Sequence, residues 1–145
     1  MQVSIKGQRM TKQRRLVLEE LRKLKTHPSA EELHAIAQRN MPNISLGTVY
    51  RNLDLLWRNG QILKLEMAGA QARYDGDTRP HYHARCRVCG HITDLFTSQV
   101  AGIDHPRVMD SNFRVTGWRI EFEGVCPSCD HPRNVEMQRT EEFVD

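Results

Sequence analysis

The residues best placed by type and spacing to do chemistry lie in the second half of the chain. All four cysteines of the 145-residue sequence fall there, as Cys86-x-x-Cys89 and Cys126-x-x-Cys129, with 36 residues between the pairs. Each pair makes a tight turn offering two thiolates to one ion, helped by Gly90 beside the first and Pro127-Ser128 inside the second. Two such turns supply four sulfurs, the number that a tetrahedral structural zinc requires. Redox pairs or disulfides are the competing readings. Neither pair is followed by a recognisable active-site helix, and two pairs favour shared coordination. The long gap puts the turns on different strands, so the metal is expected to staple the two edges of a small domain that has few residues for a core.

A second constellation is of another kind. His81-Tyr82-His83 puts both imidazoles on one face of a strand, because strand side chains alternate with period two. A return strand offers Asp94, and an earlier strand ends in Asp75. This mixed nitrogen and oxygen set suits Fe(II), Mn(II) or Zn(II), with identity left to geometry and availability.

The elements that must position these groups follow from periodicity. Thr11 caps a helix whose apolar residues Val17, Leu21 and Leu24 fall at spacings of four and three, and the chain leaves the helix by His27-Pro28. Ser29-Ala-Glu-Glu32 is a capping box opening a second helix with Leu33, Ile36 and Ala37 inward. Ser45 caps a third, Leu46 to about Arg58, with Val49, Leu53 and Leu56 on its buried stripe and Asn59-Gly60 as its stop. Gln61 to Met67 then alternates at period two, Gly69-Ala70 turns, and Ala72 to Asp75 returns. Three helices and a hairpin are the layout of a winged helix-turn-helix. Beyond the polar stretch Gly76 to Pro80, His81–Arg87, Ile92–Phe96 and Val115–Phe122 read as strands. Residues 98–111 read as a short helix interrupted by Gly102 and Pro106, and 133–145 as a final helix or a frayed tail. The fold class is therefore α/β (α+β): a winged helix-turn-helix over residues 1–76, a linker of about 77–80, and a small α/β domain over 81–145.

Charge divides along the same line. Residues 1–75 carry 13 Lys/Arg against 7 Asp/Glu, whereas 76–145 carry 8 against 11. A basic first half suggests a nucleic-acid module. In a helix-turn-helix the second helix of the motif enters the major groove. That leaves Ser45, Thr48, Tyr50, Arg51 and Asn52 to meet bases and phosphates, with Lys12, Arg14, Arg15 and Lys64 as phosphate contacts. No apolar run is long enough to span a membrane. Met1-Gln-Val-Ser-Ile-Lys lacks the apolar core of a signal peptide, so a cytoplasmic address is expected.

These motifs together resemble the ferric uptake regulator (Fur) family, through Thr11-x-Gln-Arg, His27-Pro-Ser-Ala-Glu-Glu-Leu, Thr48-Val-Tyr-Arg-Asn-Leu, Arg73-Tyr-Asp, His81-Tyr-His-Ala-x-Cys-x-x-Cys-Gly and Gly124-Val-Cys-x-x-Cys. The resemblance spans roughly residues 9 to 130. It implies a homodimeric, metal-responsive repressor, not an enzyme, whose N-terminal winged helix binds double-stranded DNA at an inverted-repeat operator and whose C-terminal α/β domain dimerises. It implies that Cys86, Cys89, Cys126 and Cys129 hold one structural Zn(2+) per subunit. It also implies that His27, Asp75, His81, His83 and Asp94 hold one regulatory Fe(2+) or Mn(2+). Aspartate at both 75 and 94 is similar to the peroxide-responsive PerR branch, in which oxidation of a ligand histidine releases DNA. An iron- or zinc-responsive uptake regulator without peroxide sensing is the alternative. The sequence is not expected to have the third metal site of some iron sensors, because Pro80, Tyr82 and Trp118 stand where those members tend to place ligands. Glu123 stands where an aromatic is common, with no role implied. His34, His91, His105 and His131 match no ligand position and are expected at the surface.

Overall fold

The computed structural model of the chain describes residues 9–66, 71–103 and 107–130. It divides into two compact units, Met1–Arg79 and Pro80–Asp145. Met67, the Gly69-Ala70 turn, His105, Pro106, His131 and the tail from 133 lie outside the described residues.

In the first unit each helix starts at the residue whose side chain can satisfy an orphan amide. Thr11 Oγ1 accepts from the amide of Arg14 at 3.1 Å and opens α1, Lys12–Lys23. Ser29 Oγ accepts from Glu32 at 3.2 Å and opens α2, Ala30–Ala37. Ser45 Oγ accepts from Thr48 at 3.1 Å and opens α3, Leu46–Arg58. Each such cap contributes about 1 kcal/mol. At the end of α3, Gly60 takes φ +72°, which lets the Gln61 amide reach back to the Leu56 carbonyl at 2.9 Å. The helices close around Val17, Leu21, Leu33, Val49, Leu53 and Leu56, all fully buried. Strands β1, Leu63–Leu65, and β2, Arg73–Asp75, pair antiparallel, Leu63 opposite Asp75 and Leu65 opposite Arg73. Tyr74 from β2 joins the core. This is a winged helix-turn-helix with a shorter hairpin than the alternation suggests.

The second unit is a three-stranded sheet in the order β4-β3-β5. The central strand β3, His81–Cys86, pairs antiparallel with β4, Ile92–Phe96, and parallel with β5, Phe122–Gly124. Two expectations fail here. The strand expected over Val115–Phe122 is confined to its far end: Phe122–Gly124 lies beside β3, and among the described residues the preceding alternation has no strand to pair with. In place of a helix over 98–111, the described residues of that stretch show one 3-10 turn, Thr97–Gln99, before Gly102 at φ +82° takes the backbone out of helical space.

Candidate metal centres and nucleic-acid interface

The parallel pairing of β3 and β5 explains how cysteines so far apart in sequence meet. Parallel neighbours end side by side, and each of these strands runs directly into a Cys-x-x-Cys turn. After β3, the Gly90 amide donates to the Cys86 carbonyl at 2.9 Å, with Gly90 at φ +75°. After β5, the amides of Cys129 and Asp130 donate to the Cys126 carbonyl at 2.9 and 3.0 Å. The four sulfurs all lie within 4.8 Å of one another, with Cys89 and Cys126 Sγ 3.7 Å apart. An ion about 2.3 Å from each of four tetrahedral sulfurs needs them about 3.8 Å apart. The thiols also disagree in acidity. The Cys126 amide, 3.4 Å from Cys86 Sγ, heads the backbone donors that hold the Cys86 thiol down to about 6. Hydrogen bonding to Cys126 and the other sulfurs pushes Cys129 up to about 12. Four thiols this close cannot all ionise without a cation among them, so the donor set fits zinc. One detail departs from expectation: the staple would join the central strand to one edge, rather than edge to edge.

On the same central strand, His83 lies directly opposite Asp94 of β4, and His81 is two residues away on the same face. The Nε2 atoms of His81 and His83 are 3.1 Å apart, and Asp94 Oδ1 lies 3.3 Å from the first and 3.5 Å from the second. Both imidazole side chains are almost wholly out of solvent, 1% and 9% exposed. Ligand atoms about 2.1 Å from one ion, at right angles to each other, are about 3 Å apart. The trio therefore has the spacing of adjacent ligands.

The first unit holds a pair of the same kind. His27 Nε2 and Asp75 Oδ2 are 3.3 Å apart and both residues are buried. His27 sits at φ +52°, a left-handed turn that His tolerates better than most residues, and this turns the chain from α1 into the cap of α2. Its carbonyl accepts from Arg73 Nη1 at 3.2 Å, and the Pro28 carbonyl accepts from the Tyr74 amide at 3.0 Å. These two bonds fasten β2 to the turn and bring Asp75 up to the imidazole. Asp75 Oδ1 also accepts from the Asp77 amide at 2.9 Å.

The nine residues expected at nucleic acid separate into two groups. Lys12, Arg15, Ser45, Tyr50 and Arg51 are exposed, and Thr48 and Lys64 partly so. Arg51 Nη2 donates to Thr48 Oγ1 at 3.1 Å across the first turns of α3. Lys64 Nζ is 3.0 Å from Glu66 Oε1 and 5.0 Å from the Trp57 ring. Arg14 and Asn52 are a correction: both are buried, and Arg14 Nε donates to Asn52 Oδ1 at 3.3 Å between α1 and α3. Asn52 follows Val49 by three and precedes Leu56 by four, so helical geometry already assigns it to the buried stripe. His91 is exposed as expected, whereas His34 is partly covered, its Nε2 2.9 Å from the Ile44 carbonyl.

The sequence also matches the model of the ferric uptake regulator family over residues 5–123. The chain belongs to that family. One relative, the peroxide operon regulator of Bacillus subtilis (strain 168), is 34% identical over 128 residues, which covers 88% of each chain. The solved peroxide stress regulator of Campylobacter jejuni is 36% identical with a TM-score of 0.56, over 60% of this chain and 64% of that one, so the match spans a little under two thirds of that structure. The Helicobacter pylori ferric uptake regulator gives a TM-score of 0.65 at 24% identity, over 86% of this chain and 84% of that one, a likeness of fold. Glu123, which family resemblance leaves without a role, makes an exposed ion pair, its Oε2 3.2 Å from Arg87 Nη2. What ties β5 to the first cysteine turn is the Arg87 amide, which donates to the Gly124 carbonyl at 2.8 Å.

Proposed function

We propose that this chain is a metal-dependent transcriptional repressor that binds DNA and senses peroxide. The observation that carries the proposal is the convergence of His81, His83 and Asp94 at adjacent-ligand spacing, on the strand that also leads into the four-cysteine cluster. Family membership and the peroxide regulators among its relatives support the same reading. Cys86, Cys89, Cys126 and Cys129 would hold a structural zinc. His81, His83 and Asp94, with His27 and Asp75 from the other unit, would hold one Fe(II) or Mn(II).

Each unit supplies part of that ligand set, so closing the set fixes the angle between them. In a homodimer that angle sets the spacing of the two α3 helices, which must match half-sites of an inverted-repeat operator. Metal and DNA then tighten each other's binding, by about 5–150-fold for couplings of the usual size. A dimer through the second unit is supported by its exposed apolar residues, among them Met109 and Phe113 at 76% and 78% exposure. The reading places the protein in the cytoplasm and makes it a regulator rather than an enzyme.

Fe(II), when bound, would activate peroxide beside the ligand imidazoles. His27 or His81 would supply the two electrons and take up one peroxide oxygen while the other leaves as water. The oxidised ring would cease to be a good donor, and the closed set would be lost. The test is mass spectrometry of Fe-loaded protein after peroxide, beside a Mn-loaded control. One added oxygen on His27 or His81 is expected with iron alone. Metal-dependent operator binding with no oxygen on either histidine would instead make this an iron- or zinc-responsive regulator without peroxide sensing.

A further inference from the structure

One carboxylate on the proposed DNA face is tied to two elements at once. Glu31 lies in the first turn of α2, where the helix N-terminus favours its negative charge. Its Oε1 accepts from the Tyr50 hydroxyl at 2.8 Å, and its Oε2 accepts from Nε2 of Gln71, just before β2. All three side chains are exposed, Tyr50 at 40%. Tyr50 stands near the start of α3, whose exposed N-terminal turns also carry Ser45 and Arg51.

A phenol has one proton to give. With that proton committed to Glu31, the Tyr50 oxygen can face a ligand only as an acceptor. Phosphate oxygens are acceptors too, so the backbone of DNA offers this hydroxyl nothing, and the Glu31 charge repels it. Base edges in the major groove do offer donors, the N6 amino group of adenine and the N4 amino group of cytosine. We propose that Glu31 is a positioning residue for sequence readout: it turns the Tyr50 hydroxyl into an acceptor that selects a base amino group, and keeps it from serving as a phosphate contact. This rests on the DNA-binding reading above and goes beyond it by giving Tyr50 a specificity and Glu31 a cause for it. The phenol's acidity agrees, since the same carboxylate raises its pKa and keeps the proton on the oxygen.

The experiment uses the full-length, metal-loaded protein on an operator obtained by selection from random duplexes. Binding is measured on a series in which adenine is replaced by purine and cytosine by 2-pyrimidinone, one position at a time, so that only the amino group is lost. At one position in each half-site the loss should weaken wild-type binding by about 5–150-fold, the range of a good base contact. Y50F should be indifferent at that position and keep its other preferences. E31A should also be indifferent there, and should bind random DNA more tightly with a steeper salt dependence, because the hydroxyl is released to donate to phosphate and a negative charge is gone. E31Q keeps an acceptor for Tyr50 and should restore the discrimination, which a purely structural role for Glu31 would not explain. Selective binding in which Y50F or E31A retains the full amino-group dependence overturns this inference alone. Absence of any selective DNA binding, with every metal tried, overturns the DNA-binding reading itself.

Discussion

Asn52 has the chemistry of a base reader, since its amide can pair with adenine, yet the fold spends it elsewhere. Its oxygen meets the Arg14 guanidinium between α1 and α3, and Arg14 Nη1 also donates to the Arg9 carbonyl at 3.0 Å. Removing Asn52 leaves a buried charge short of a partner. Asn52→Ala is therefore expected to cost about 1.5–3 kcal/mol of stability, seen as a lower urea midpoint with an unchanged slope. Arg51→Ala, one residue away on the exposed face, should move the midpoint by no more than about 0.5 kcal/mol and weaken operator binding instead. If the two variants exchange these effects, the buried and exposed faces of α3 have been assigned the wrong way round. The cysteines, His81, His83 and Asp94 were legible in the sequence because strand alternation and the Cys-x-x-Cys spacing are local. His27 was visible only through family resemblance, because what qualifies it is a left-handed turn and a neighbour 48 residues on in Asp75, and no local pattern encodes either.

At the scale of elements, capping chemistry located the starts of α1, α2 and α3, since each start depends on one side chain and one amide, whereas α1 ends at Lys23, before the His27-Pro28 stop. Strands of the second unit were less legible. A strand exists only where a neighbour accepts its backbone, and the alternation near Val115 carries no information about its neighbour. The close approach of β2 to α1 was also hidden. A Cβ on Gly76 would lie 2.9 Å from the Arg22 Cα and 3.0 Å from its amide nitrogen, both rigid backbone atoms. Gly76→Ala should therefore push the end of β2 away from α1, costing about 1–3 kcal/mol in urea unfolding. Because Asp75 is the preceding residue, the same variant should bind Mn(II) more weakly in a titration while retaining its full zinc content. Unchanged Mn(II) affinity alongside the lost stability would separate Asp75 from the regulatory site.

Over the whole molecule, the two units are stabilised by different means. The first is closed by a hydrocarbon core from three helices and Tyr74. In the second, the buried apolar residues among those described are Cys86 and Ile92. Stripping zinc with a chelator under reducing conditions should therefore unfold the second unit alone. The helical circular dichroism should persist while amides of residues 81–96 lose their protection from hydrogen exchange, and one equivalent of zinc should restore it. Simultaneous loss of both signals would mean that the units share one cooperative transition. The layout of β3 bears on the protein's maturation. This strand carries two imidazoles at its start and a thiol at its end, with His83 and Cys86 about 10 Å apart along a single rise of backbone. The imidazoles keep their register only while the strand is held, by its pairing with β4 along its length and by the cysteine turns at its far end. On the function proposed above, loading would be sequential: a newly made chain short of zinc would respond poorly to the second metal however much of it the cell contains.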